Sequence, residues 1–415
     1  MQLKTILNHV QKHSSFVYGE MRLREGDVPE LEVAVRPRSN GRPECSGCGR
    51  RGPGYDRLPE RRFEFVPLWG IRVFFLYAMR RVTCPRCGIR VERVPWAEGK
   101  SPITTAYAWF LADWARQLSW QEVAARFRTR WHTVYRAVRQ AVAWGLAHRD
   151  LSGIEAIGVD EVLWRRGPRF LTVVYQIEAG CRRLLWVGRG RNTETLEAFF
   201  DFFGERAQYL RFVCSDMWRP YRYVLARRAS QALHVFDRYH VVARMNFVLD
   251  RIRAGEARRM KKQGYEPVLA HSRWCVLKRP SRLTSIQRDR LEDLLQYNLK
   301  TVRAYLLKEE FQLLWDYVSP AWAGKFLDRW CTKVLRSRID RFKPIARGFR
   351  KNRELILNWF RAHGTISAGA VEGLNNKLKL TTRKAYGYRS FKVIEIALYH
   401  ALGHLPQPHF AHKFW

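Results

Sequence analysis

Three acids stand where their surroundings would give them chemistry. Asp160 closes the short apolar run IEAIGVDE, Asp216 closes LRFVCSD, and Glu372 opens the polar stretch VEGLNNKLKL. If the two apolar runs are neighbouring strands, the carboxylates at their ends converge, and Glu372 could complete the cluster from a helix on the other side. Three carboxylates so close repel one another and take up protons unless cations neutralise them. Hard oxygen donors select magnesium or manganese over zinc. Two such ions about 4 Å apart suit an in-line phosphodiester displacement, activating the attacking oxygen and stabilising the leaving one. Asp160, Asp216 and Glu372 are therefore the expected ligands of two Mg2+ or Mn2+ ions. Glu161 should point to the opposite side of its strand and is not expected among them.

A second constellation is local. CSGC places Cys45 and Cys48, and CPRC places Cys84 and Cys87, each pair followed by a glycine, Gly49 or Gly88, that lets the backbone turn. Four thiolates in two such pairs match one tetrahedral structural zinc, a closed site with no position left for catalysis. The spacer contains FEFVPLWGIRVFFLYAMRRV, read as strands over 62–67 and 71–80 around a turn at Gly70, a zinc ribbon with an extended hairpin. The other cysteines, Cys181, Cys214, Cys275 and Cys331, are scattered and read as small core residues.

The charge balance names the partner class. Lysine and arginine number 75 against 38 acids in 415 residues, a formal net charge of +37. Such an excess repels itself in a compact fold unless a polyanion offsets it, so nucleic acid is expected; a compositional bias is the bland alternative. A hydrophobic fraction of 47% argues against disorder. No apolar run approaches the roughly 20 residues needed to cross a bilayer, and no signal peptide is apparent, so a cytoplasmic protein associated with the nucleoid is expected.

The elements that must position these residues can be read in order. A zinc-ribbon domain is expected over 1–100 and a helix-turn-helix over 101–150. In the latter, TAYAWFLADWARQL is amphipathic, and SWQEVAARF begins with Ser119 and carries Glu122 three residues on, a capping box. WHTVYRAVRQAVAWGL is the recognition helix, with Arg130, His132, Arg136 and Arg139 facing DNA and Val123, Ala124, Val134 and Val138 packing inside. A plain helical hairpin is the alternative. From 151 to 240 the runs alternate as β-β-β-α-β-α-β, with a helix capped by Thr193 after the third strand. That order is the one of an α/β ribonuclease H-like catalytic core. Residues 241–365 show 3.6-residue periodicity and abundant basic residues, an all-helical insertion. The core resumes over 366–415 with the Glu372 helix and a C-terminal tail.

GVDE, CSDMW, VFDRYHVV and VEGLNNKLKLTTRKAYGYRSF together resemble the ISL-three family of bacterial insertion-sequence transposases, of the DDE class. The resemblance runs from the CxxC ribbon to the closing LPQPHFAHKF. It implies a metal-binding triad of Asp160, Asp216 and Glu372. One departure precedes the glutamate, where the family often has an asparagine-glycine pair and this chain has Ser367, Ala368 and Gly369.

Other residues carry weaker signals. Asn375, Asn376 and Lys379 follow Glu372 at helical spacing and are read on its face, suited to contacts with the scissile phosphate and backbone, or else as a solvated polar face. Arg383 and Lys384 extend that basic stripe. Asp237 and His240 form a DxxH similar to one in Mutator-type transposases. His240 could orient a phosphate or assist proton transfer, or could be a hydrogen-bonded histidine at a strand-helix junction. Trp274, Trp315, Trp322, Trp330 and Trp359 are read as core, although an aromatic in such an insertion can stack on a flipped base. The expected function is binding of terminal inverted repeats, cleavage at their ends and strand transfer, by at least a dimer on double-stranded DNA. Two competitors are a non-catalytic zinc-ribbon and helix-turn-helix regulator, and a ribonuclease H-like nuclease that does not join strands.

Overall fold

The computed structural model describes residues 3–165, 167, 169–266, 268–362, 368–385 and 387–408, with the backbone alone for Arg165, Ala368 and Gly369. Ser367, Tyr386 of the YGYRSF turn and the closing motif from His409 onward lie outside the described residues. The described residues fall into two compact units. One lies within Met1–Arg149, Lys384–Tyr386 and Lys392–Trp415, the other within Asp150–Arg383 and Gly387–Phe391.

The first unit begins with α1 (Leu3–Val10) and continues through β1 (Phe16–Arg24), β2 (Glu30–Pro37), β3 (Gly54–Leu68), β4 (Ile71–Cys84) and β5 (Gly88–Val91). The sheet order is β1-β2-β4-β3, with β5 on the end of β4. The hairpin read over 62–67 and 71–80 is present with longer arms. β1 and β2 were not read from the sequence, although they form a local antiparallel hairpin; β2 also pairs parallel to β4, the long-range contact that brings the hairpin into this sheet. Alternate residues of β4, among them Val73, Phe75, Tyr77 and Met79, are buried, as the two-residue side-chain period requires. Trp96 is fully buried among Phe16, Phe63 and Tyr77. Then come α2 (Thr105–Gln117), α3 (Trp120–Arg126) and α4 (Trp131–His148). The capping box forms: Ser119 Oγ accepts from Glu122 N at 3.2 Å, and Ser119 N donates to Glu122 Oε2 at 2.7 Å. Val123, Ala124, Val134 and Val138 are buried between these helices.

The second unit opens with β6 (Ala156–Arg165), β7 (Arg169–Glu178) and β8 (Cys181–Arg189), an antiparallel meander. Then follow α5 (Thr193–Phe203), β9 (Phe212–Ser215), α6 (Arg219–Arg228) and β10 (Leu233–Phe236). The strands lie in the order β10-β9-β6-β7-β8, with β9 parallel to β6 and β10 parallel to β9. Phe199, Phe200 and Phe203 of α5 and Tyr221, Val224 and Leu225 of α6 share one core with the sheet. The cap of α5 is Asn192 rather than Thr193: its side chain accepts from Thr195 N at 3.0 Å, which an amide oxygen one residue earlier can reach and the Thr193 hydroxyl, inside the first turn, cannot.

Between β10 and the glutamate helix the described residues form helices alone: α7 (Arg238–Lys262), α8 (Arg273–Leu277), α9 (Ser285–Leu295), α10 (Lys300–Gln312), α11 (Pro320–Arg336), α12 (Lys343–Lys351) and α13 (Arg353–Arg361), with short 3-10 turns. They enclose a core of their own around Phe311, Trp330 and Phe349. Trp315 and Trp330 are buried in it and Trp359 is half-buried, whereas Trp274 and Trp322 are exposed. The glutamate helix is α14 (Ala368–Lys384), and α15 (Phe391–Leu402) follows. Residues 366–415, read as one piece, divide here. The chain from Lys392 clusters with the first unit, where Gln407 Nε2 donates to Asp113 Oδ1 at 2.6 Å. There Leu405 packs so tightly on Gly145 that an added Cβ would lie 2.6 Å from it.

Candidate active site

β9 runs beside β6 only as far as the pair Val159–Ser215. The next residue on each strand is an aspartate. Asp160 is therefore not at the end of its strand, as read from sequence, but in the middle of β6, still paired with Val173 of β7. What ends there is its parallel neighbour, so β9 does not pair with β6 beyond Val159.

Asp160 is 5% exposed and held on both oxygens. Oδ1 accepts from Glu161 N at 2.7 Å, and Oδ2 accepts from Asn375 Nδ2. Asn375 Oδ1 in turn accepts from the Tyr175 hydroxyl at 2.9 Å. This chain ties α14 to β6 and β7 through buried side chains. Asp216 is partly exposed, and its Oδ1 accepts from Met217 N.

His240 stands in the first turn of α7, in the midst of the acids. Its Nε2 lies 3.6 Å from Asp160 Oδ1 and 4.0 Å from Asp237 Oδ2, and its Nδ1 lies 3.9 Å from Asp216 Oδ2. Burial alone would lower its pKa; the hydrogen bond and charge of Asp160, with Asp216 and Asp237, raise it to about 9. Asp237 caps α7, accepting from Tyr239 N at 2.8 Å. Burial, and the charges of Asp160 and Glu372, push its pKa up to about 6 against the pull of His240.

Glu372 is exposed on α14, close enough for its charge to reach Asp237. Val371, Leu374, Asn375 and Leu378 form the buried face of that helix, while Glu372, Asn376 and Lys379 are exposed. Asn375, read from sequence as a DNA contact on the glutamate's face, thus lies on the buried stripe with its amide committed to Asp160 and Tyr175. Spacing of three and of four residues both follow a helix face; only packing decides which neighbour turns inward. The approach of α14 depends on Gly158: a Cβ there would lie 2.5 Å from Val371 Cγ2. Sequence reading missed Gly158, Tyr175 and the structural use of Asn375. A glycine inside an apolar strand was the available signal for the first.

On the far side of Asp160, Glu161 pairs with Arg191 at 3.3 Å. The Arg191 guanidinium lies over Phe170 and Trp218, 3.9 and 4.9 Å from the ring centroids. Asp160 and Asp216, each with an oxygen within 4.0 Å of His240, offer the hard oxygen donors that divalent cations of the magnesium class take.

The four cysteines of the first unit form a separate, closed group. Their sulfurs all lie within 4.8 Å of one another, as Zn–S bonds of about 2.3 Å in a tetrahedron allow. Gly49 and Gly88 take φ of 75° and 72°, the left-handed backbone that glycine adopts freely. Gly47 sits so close that a Cβ would lie 3.2 Å from Cys87 Sγ. The backbone N–H of Arg86 draws the Cys84 thiol down, while the Cys48 side chain and burial push the Cys87 thiol up, the opposed shifts of neighbouring thiols that compete for protons.

The other residues singled out as DNA contacts are distributed as follows. Arg130, His132, Arg136 and Arg139 are exposed along α4, and Arg383 is exposed on α14. Lys384 does not continue a free basic stripe: its Nζ donates to the carbonyls of Arg116 and Gln117 at the end of α2.

An antiparallel meander extended by two parallel strands through helical crossovers, with acids where the first and fourth strands part, is a ribonuclease H-like core. Within that class the sequence comparisons are specific. Residues 157–398, more than half the chain, match the family model described as a transposase of the ISL-three, DDE type, and the chain belongs to this family. It is 32% identical over 349 residues to the transposase for insertion sequence element IS1001 of Bordetella parapertussis, covering 83% of this chain and 85% of that one. It is also 32% identical over 409 residues to the transposase for IS1557 of Mycobacterium tuberculosis, covering 92% and 90%. The protein is a DNA transposase, a metal-dependent enzyme that cleaves DNA. No described helix is long and apolar enough to cross a membrane.

Proposed function

We propose that Asp160, Asp216 and Glu372 hold two Mg2+ or Mn2+ ions and that DNA strand cleavage and strand transfer occur between them. The observation that carries this is the meeting of Asp160 and Asp216 where β6 and β9 part, on either side of the His240 ring. The ions, when bound, stabilise charge on the attacking and leaving oxygens of the phosphodiester. The chain's own residues do the rest. Asn375 and the Glu161 amide fix the Asp160 carboxylate, so that little reorganisation accompanies reaction. His240, beside both aspartates, would orient the scissile phosphate or assist proton transfer to the departing oxygen. Water attacks first and leaves a 3′-hydroxyl; that hydroxyl, still bound, then attacks target DNA at the same site.

The four-cysteine group, holding one structural zinc, and α3–α4 as a helix-turn-helix would recognise the terminal inverted repeats, with Arg130, His132, Arg136 and Arg139 toward the major groove. Asn376, Lys379 and Arg383 would contact backbone beside Glu372, and the helical block α7–α13, an insertion into the core, would grip flanking DNA. Two ends must be joined, so the working form is at least a dimer. Purified protein with Mg2+ and element-end duplexes should give nicked and joined products. Asp160→Ala, Asp216→Ala and Glu372→Ala should each abolish both while DNA binding persists; activity surviving Glu372→Ala would remove that residue from the site.

A further inference from the structure

Two turns finish the first unit's sheet at the same end. The β3–β4 turn is Trp69–Gly70, and Arg72, two residues further on, donates its N–H to Pro29 O at 3.3 Å where β2 begins. The β1–β2 turn, residues 25–29, therefore lies beside it. Trp69 is 87% exposed, more than any other large hydrophobic residue described. It also carries a φ of 48°, with Gly70 at 84°. A pair of positive φ values suits a tight hairpin turn in which Asn-Gly is usual, and a bulky side chain there costs energy. In the isolated chain this residue bears strain and wets a full indole, with nothing gained.

The charge around it excludes one obvious partner. Glu25 and Asp27 are exposed on the neighbouring turn and take part in none of the ion pairs found among the described residues. Arg72 is neutralised by Glu30 and Glu64, and Arg62 by Glu30 and Glu32. The tip is thus apolar and acidic in a chain of net charge +37, the wrong sign for DNA and the right one for a basic protein surface.

Such a surface exists on the helical block of the second unit. A hollow of about 830 Å³ between α10 and α11 is floored by Leu306 and Leu307 and rimmed by the cations Arg329, Lys333 and Arg336 and by the acids Asp328 and Glu310. Glu310 pairs with Lys333 and leaves Arg329 and Arg336 to set the charge of the hollow. Those three cations follow one stripe of α11, at helical spacing, and Leu306 is 51% exposed. We propose that Trp69 and the acidic turn of one copy seat in this hollow of a second copy, reciprocally, so that a two-fold dimer has two such contacts. This supplies the surface for the dimer proposed above; its test uses no DNA, so failure of the catalytic reading leaves it standing.

Sedimentation velocity of the full chain over a micromolar concentration series tests it. Trp69→Ser should weaken self-association roughly tenfold or more, as loss of a buried aromatic anchor does. Glu25→Lys with Asp27→Lys should also do so, as should Arg329→Glu with Arg336→Glu. An equimolar mixture of these last two variants should restore the dimer, because each tip then meets a hollow of opposite charge. Matching melting curves for all variants exclude misfolding. Three outcomes overturn the proposal: a wild type that stays monomeric, Trp69→Ser self-associating as wild type, or a mixture that does not restore the dimer. So does a Trp69→Ser variant that loses affinity for duplex DNA while its self-association is unchanged, which would make the tip a DNA contact.

Discussion

The four-cysteine group and the carboxylate site, each proposed to hold metal, are built in opposite ways. Cys45, Cys48, Cys84 and Cys87 come from two knuckles joined by one hairpin, and their sulfurs converge within 4.8 Å through local turns. Asp160, Asp216, His240 and Glu372 come from two strands and two helices, and Asn375 reaches back across more than 200 residues to Asp160. A closed thiolate set lends its binding energy to folding. An acidic set that must admit a substrate stays partly open and depends on the surrounding fold to hold charges that repel one another. Stability is thus expected to reside in the first cluster and turnover in the second.

The comparison can be broken most forcefully at the cysteines. If they hold zinc, stripping it with a strong chelator in excess Mg2+ should remove on the order of 10 kcal/mol of apparent binding energy and melt the ribbon. The checks are one zinc per chain by elemental analysis, and loss of near-UV circular dichroism on chelation. An unchanged melting curve would mean that the closed cluster does not carry stability.

At the other site, Asp160→Ala or Asp216→Ala should cost about 4 kcal/mol of transition-state stabilisation, or roughly 10³-fold in cleavage rate. Asp216→Ala, at a partly exposed acid, should leave the melting temperature unchanged, whereas Asp160→Ala strands the buried Asn375 amide and should cost about 1–3 kcal/mol of stability. Single-turnover cleavage and calorimetry on the same preparations would show whether rate and stability separate as expected.

Asn375→Ala sharpens the contrast at a residue that holds the proposed ligand Asp160. Outer partners of metal ligands typically contribute 10–100-fold in affinity or activity. The variant should therefore need roughly that much more Mn2+ for half-maximal cleavage, with duplex binding unchanged. A loss of DNA affinity with normal metal dependence would instead return Asn375 to the DNA-contact role its spacing first suggested.

The smallest effect is expected away from both clusters. Ser119→Ala removes the Glu122 N–H partner at the start of α3 and should cost about 1 kcal/mol of stability. It should lower the denaturation midpoint slightly and leave cleavage by preformed complexes intact.

How much of this was legible depended on sequence separation. The cysteine group, the three helices after it and the capping box among them rest on residues a few positions apart, and local spacing was enough to read them. The order β-β-β-α-β-α-β also followed from local periodicity, and it made Asp160 and Asp216 neighbours before any coordinates. The cap of α5 was misplaced by one residue, because Asn192 and Thr193 are both good capping types and only backbone geometry chooses between them. β1 and β2 were missed although their hairpin is local; only the parallel pairing of β2 with β4 is long-range.

By itself, then, the sequence determined the inventory: a thiolate set of zinc spacing, two acids on strands that must adjoin, a glutamate on a later helix, and a positive charge that calls for DNA. The tertiary structure decided the arrangement. It ended β9 one residue short of Asp160 and brought α14 down on Gly158, where no side chain stands in the way. It turned Asn375 inward and Glu372 outward, put His240 among the acids, and divided the last fifty residues between two units. Helix periodicity says which residues share a face, but which face is buried is decided by the surface it packs against.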